Sequence, residues 1–237
     1  MTVAFDQFSS TGSTVGASNS WTHTPVSTSD IRGVICTIGS RPGTTDAVTA
    51  VTYGGVAMSH VALSPEPITA GNEDGIISGY FLGTSSIPQG AQTVAVTIST
   101  ASTAMWRAGV TTLTAAANLE VENTAVLDQV VANPSVTVVT TPDLNCFIHG
   151  FLYSGQNTTV TVSTNYTSDH LFIFSAQVGS WMHRTANSTG GNVTVNWTAA
   201  SEDAGIIAIA VNEMATSTGA AQSIIPILMY QYRVRGQ

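Results

Sequence analysis

Hydrophobic residues along this chain recur with a period of two. The run Thr93-Val94-Ala95-Val96-Thr97-Ile98-Ser99 alternates strictly, and so does Asn192-Val193-Thr194-Val195-Asn196-Trp197. Successive strand side chains point to opposite faces, so this alternation sets one face in a core and the other in water. Short runs rich in Val, Ile, Thr and aromatics, broken by Gly, Pro, Asn or Ser, predict strands. They fall at 32–39, 48–53, 56–63, 75–82, 91–99, 105–114, 135–140, 146–153, 158–163, 169–176, 179–185, 192–198, 204–213 and 224–234. Two hairpins are signalled by Gly-Gly between such runs, in Tyr53-Gly54-Gly55-Val56 and Thr189-Gly190-Gly191-Asn192.

The segment 115–134 is the least strand-like. Its Ala115, Ala116, Ala117, Leu119, Val126, Leu127, Val130 and Val131 predict a short helix or an apolar loop, ended at Asn133-Pro134. No composition shift marks a linker, and no fixed repeat period stands out. The expected fold is all-β: a two-sheet antiparallel sandwich, jelly-roll-like, over residues 1–214, with a C-terminal extension over 215–237.

Composition changes the picture of the surface. Charged residues are 8% of the 237, with 14 acids, 6 Arg and no Lys, for a net charge of -8. Thr (35) and Ser (25) must hydrate the solvent faces instead. Thr is β-branched and favours strands while staying wet. Phosphate neutralisation needs clustered Lys and Arg, so no nucleic-acid partner is expected. The N-terminus has neither a basic start nor an apolar core, so no signal peptide is expected. No apolar stretch is long enough to predict membrane insertion. Cys36 and Cys146 each sit in an apolar strand-like run; buried free thiols and one long-range disulfide both fit the spacing.

Candidate chemistry is sparse. The five histidines, His23, His60, His149, His170 and His183, show no zinc-type spacing, so no metal or cofactor is expected. His149 reads as a half-buried, satisfied residue. Glu73-Asp74 lies in a Gly/Asn turn that could hold calcium only with more carboxylates than the loop supplies. Glu202-Asp203 reads as solvent-facing. No Gly-x-Ser-x-Gly elbow occurs, and no facing carboxylate pair of glycosidase type is apparent, so no catalytic residue is assigned. Trp106 and Trp197 read as packing residues. Trp181, which follows a turn in Gly179-Ser180-Trp181-Met182, is the candidate for an exposed glycan contact.

Several local patterns occur in one order. They are Ser20-Trp21-Thr22-His23-Thr24, Gly33-Val34-Ile35-Cys36-Thr37-Ile38, Val51-Thr52-Tyr53-Gly54-Gly55-Val56-Ala57-Met58, Gly79-Tyr80-Phe81-Leu82, Ile87-Pro88-Gln89-Gly90-Ala91-Gln92-Thr93-Val94, Thr141-Pro142-Asp143-Leu144 and Ala204-Gly205-Ile206-Ile207-Ala208-Ile209. Together, over residues 20–213, they resemble a β-sandwich module common in tailed-phage structural proteins and in some bacterial surface proteins. That module often carries a Trp where this chain has Tyr80-Phe81. The resemblance implies a non-enzymatic, surface-exposed virion protein, a minor tail or head decoration protein, made in the host cytoplasm. Its expected partners are copies of itself, as a trimer or ring, and other virion proteins. The alternative is a carbohydrate-binding module contacting host-surface glycans.

The extension carries a second apolar run: Ile224, Ile225, Ile227, Leu228, Met229, Tyr230 and Tyr232, interrupted by Pro226. It reads either as a last strand packed on its own domain or as a docking arm at a subunit interface, added edge-to-edge to a neighbour. Pro226 cannot donate to a ladder, so the pairing must lie at an edge.

Overall fold

Alternating Val and Thr segments form strands in the computed structural model, nineteen of them among the described residues, with no helix. The described residues are 3–214 apart from 13, 17, 42, 44, 71–73, 85, 100–104, 141–145, 155–158, 175–176, 186–190 and 201. The extension 215–237, with the interface candidates Ile224 to Tyr232, lies outside them, as do residues 71–73 of the Gly/Asn turn.

The strands make two sandwiches, where the sequence predicts one. The first contains β1 (Ala4–Ser10), β2 (Thr14–Val15), β3 (Asn19–His23), β4 (Ile31–Arg41), β5 (Val48–Tyr53), β6 (Val56–Ala57), β7 (Ser59–His60), β8 (Glu66–Ile68), β9 (Gly75–Leu82), β10 (Gln92–Ile98) and β11 (Met105–Thr114). The second contains β12 (Leu119–Val131), β13 (Ser135–Thr140), β14 (Phe147–Ser154), β15 (Thr161–Val162), β16 (Thr167–Phe174), β17 (Gln177–Thr185), β18 (Gly191–Thr198) and β19 (Glu202–Glu213).

Both sandwiches follow one path. The inner sheet of the first runs β1-β11-β4-β9-β7, with β2 on β11 and β8 on β9; that of the second runs β12-β19-β14-β17-β16. The outer sheets run β3-β10-β5-β6 and β13-β18-β15. With the two-residue β2 set aside, the order first–last–third over second–penultimate–fourth is therefore used twice. The halves differ mainly at one position. β6 folds back on β5 in the first half, through Gly54 and Gly55 at φ 55° and 80°. In the second half β16 pairs with β17 instead.

Three apolar layers hold four sheets together. Val34, Cys36, Ile38 and Val110 of the first inner sheet meet Val51, Tyr53, Val94 and Val96 of its outer sheet. Ile148, Leu152, Met182 and Ile206 meet Val136, Val138, Val193, Val195 and Trp197 in the second. Between the inner sheets, Ile35, Ile77 and Leu113 meet Phe147, Phe151, Tyr153, Trp181, Ile207 and Ile209. Inner strands are thus buried on both faces and lose the alternation: all of β14 is buried. Cys36 and Cys146 are free thiols in different cores. The Cys146 thiol donates to Glu122 Oε2 at 2.7 Å.

The helix or loop expected over 115–134 is instead the thirteen-residue strand β12, paired along its length with β19. A register shift between Val121 and Asn123 breaks its alternation, and its edge position leaves most of its residues half-buried. Both effects erase the period-two signal. A similar shift between Phe5 and Gln7 hides β1.

Candidate functional site

The chain's most chemically varied residues converge where the two inner sheets face each other. β1 and β11 of the first half cross β16 and β17 of the second. There Phe5 stacks on His183 with centroids 4.2 Å apart, and Phe147 flanks the same imidazole at 5.4 Å. Phe8 lies 5.6 Å from Trp181, which stacks on Phe151 at 4.6 Å. The Arg107 guanidinium sits 2.9 Å from the Phe172 ring centroid, and burial lowers its pKa to about 10. At the centre the Trp181 indole N–H donates to Thr37 Oγ1 at 2.8 Å. That hydroxyl lies 3.3 Å from His149 Nε2, while His149 Nδ1 has no partner.

This placement corrects two sequence expectations. Trp181 is fully buried, so it is not an exposed glycan contact; its turn-like flank Gly179-Ser180 lies within β17. His149 is wholly rather than half buried, and desolvation, reinforced by His183, lowers its pKa to about 3. Trp106 and Trp197 are packing residues, as expected, at 1% and 0% exposure.

Three polar constellations border the seam. His183 Nδ1 and Asp169 Oδ1 lie 2.5 Å apart, joining β17 to the neighbouring β16. On β7, His60 has Asp46 Oδ2 3.9 Å from Nε2 and Ser64 Oγ 3.5 Å from Nδ1. Serine, histidine and aspartate in this order resemble a hydrolytic triad. The Ser64 hydroxyl, however, accepts the Gly79 N–H at 2.7 Å and faces the Gly79 carbonyl at 3.3 Å. The trio fastens the β7–β8 turn to β9.

The third is a latch between halves. The Asp128 carboxylate on β12 accepts from Thr69 N at 2.8 Å, Thr69 Oγ1 at 3.0 Å and Ala70 N at 3.0 Å. Its charge helps raise the pKa of Glu66 and Asp203, burial being the larger cause for both. Asp203 is 1% exposed, contrary to the solvent-facing position expected of it. No group of three or more potential metal ligands occurs among the described residues. Charge-assisted bonds to backbone N–H groups contribute about 1–3 kcal/mol each when buried and less at an exposed loop. Asp128→Ala is expected to lower unfolding stability by about 1–2 kcal/mol at pH 7, the lost bonds outweighing relief of the acidic neighbours. Urea unfolding measures it; an unchanged midpoint would refute the latch.

At the opposite border, the edges of the inner sheets leave a groove of about 450 Å³. Phe81, Leu82, Leu119, Val121 and Met214 line it, with His60 and Glu120 among its polar residues. Nothing in the sequence pattern signals it, because it is formed by strands nearly forty residues apart. Comparison with family models, curated proteins and solved structures gives no match for this chain.

Proposed function

We propose that this chain is a non-enzymatic building block of a tailed-phage virion, surface-exposed and self-associating, in a minor tail or head decoration role. The observation that carries the reading is the doubled sandwich itself. Each half is an antiparallel two-sheet sandwich, and the two meet through their inner sheets in four layers. Its chemistry-bearing side chains face inward and hold the slab together. The outward resources are strand edges and hydroxyl faces, which suit contacts with copies of itself. The family resemblance points the same way.

The contact is the edge strand β16, whose Leu171 and Ile173 are 39% and 44% exposed. Among the described residues the second outer sheet has no counterpart of β6, and Leu171 and Ile173 stand partly open beside it. Light scattering on the purified chain is expected to show a discrete oligomer at micromolar concentration, reduced at least tenfold in affinity by Ile173→Lys. A strict monomer at high concentration would overturn self-association. Immunogold labelling of intact particles tests the virion role and separates head from tail. The glycan-binding alternative is weaker, because Trp106, Trp181 and Trp197 are buried and Trp21 is half-buried.

A further inference from the structure

We infer that β16 pairs antiparallel with β16 of a second copy through His170 to Phe174, centred on Phe172, and that the Asp169 bulge fixes this register. The inference rests on the self-association reading and adds the alignment in which the copies meet. Among the described residues β16 ends its sheet, with β17 on one side only. The strand is not regular throughout. Ser168 faces Met182 and His170 faces Trp181, so Asp169 is one extra residue. A bulged residue interrupts the ladder and bends its strand. The Asp169 side chain is turned inward and 2% exposed, with Oδ1 2.5 Å from His183 Nδ1. His183 is in turn stacked between Phe5 and Phe147. A bulge and an inward-pointing charge both stop edge pairing, and here both fall on one residue held in place by its neighbours.

Beyond the bulge the register with β17 is unbroken from His170 to Phe174. A two-fold contact brings the same patch of each copy together, so this stretch must pair with itself. Full use of it puts Phe172 opposite Phe172. Leu171 of each copy then falls opposite Ile173 of the other. The two residues are two apart and share a face, and both are exposed apolar side chains. The stretch is therefore self-complementary about its own centre. Charge selects the same edge. The chain carries a net charge of -8, and β12, the opposite edge of the same sheet, bears Glu120, Glu122 and Asp128. His170 to Phe174 contains no acid. Burial, with Arg107 as the smaller cause, lowers the His170 pKa, so its imidazole is neutral at pH 7. A second copy meets no like charge there.

Disulfide trapping between full chains tests the register. Cys36 and Cys146 are buried, so introduced thiols react selectively. Leu171→Cys, Ile173→Cys and Ser168→Cys are made as separate proteins, all at exposed positions. Directly opposite Cβ atoms lie about 4.5–5.5 Å apart and diagonal ones about 7–8 Å, and only the former approach disulfide reach. Mild oxidation of mixed Leu171→Cys and Ile173→Cys chains is expected to link them at least about fivefold more than either variant links to itself. Ser168→Cys mixed with Ile173→Cys is expected to stay reduced, because the bulge lies between the two positions. Equal linking in the mixture and in the single variants, or linking through position 168, would overturn the register even where light scattering shows a discrete oligomer. A strictly monomeric parent chain would instead overturn self-association itself, and the register with it.

Discussion

Gly109→Val is expected to cost about 3–5 kcal/mol of stability, the sum of overpacking and a lost buried hydrogen bond. A Cβ at Gly109 would lie 2.6 Å from Trp181 Nε1 and 2.7 Å from Phe8 Cε2. Phe8 is half-buried and can yield, but the fully buried Trp181 has no room to retreat. Trp181 is stacked on Phe151 and bonded to Thr37, so displacing it leaves the Thr37–His149 pair without its donor. Small domains have only about 5–15 kcal/mol in total. The expected result is a large fall in the urea midpoint with both halves unfolding together, since they share the central core. Trp181→Leu in the same chain should recover part of the loss, giving a coupling well above 0.5 kcal/mol in a double-mutant cycle. A Gly109→Val protein within 1 kcal/mol of the parent would refute the close packing.

The second large effect is acid destabilisation. His23 is buried, with Ser9 Oγ 2.7 Å from Nδ1 and Thr112 Oγ1 3.1 Å from Nε2. Burial lowers its pKa to about 4, opposed in part by Asp6. His149 falls to about 3. Protonation would place an N–H on His149 Nδ1, where no acceptor waits. Unfolded histidine titrates near 6.5. Between pH 6.5 and 4 the unfolded chain takes up protons that the folded chain refuses. Stability must therefore fall as the pH drops through that window. Each histidine contributes up to about 2 kcal/mol of loss by pH 5. Asp46, Glu66 and Asp203, with raised pKa values, act in the opposite direction at the acid end. Urea midpoints at pH 7 and pH 5 are expected to differ strongly, and His149→Gln should remove about half of the difference. An equal pH dependence in that variant would refute the assignment.

How much of this was legible in the sequence depended on where each strand lies. Outer strands face water on one side and keep their alternation: β10 and β18 were read directly from Val94, Val96 and Ile98 and from Val193, Val195 and Trp197. Those two triplets occupy the same position in the two halves. The remaining strands diverge in length and spacing, so no fixed period appears. Inner strands were recognised as apolar runs, but nothing in them shows that their second face meets another sandwich. That is why Trp181 read as exposed and His149 as half-buried. Strands with register shifts, β1 and β12, were missed because one extra residue inverts the pattern. The groove lined by Phe81, Leu82, Leu119 and Val121 was not legible, because it requires the folded edges of both halves.

The central seam is unequal on its two sides. The first half offers bare backbone at Gly39, Gly79 and Gly109, which the second fills with Tyr153, Ile207, Ile209 and Trp181, while the second offers Gly205, which Ile68 of the first fills. Small residues on each side of the seam receive large side chains of the other, so a methyl group added at Gly39 or at Gly205 is expected to push Tyr153 or Ile68 outward and part the halves along this surface.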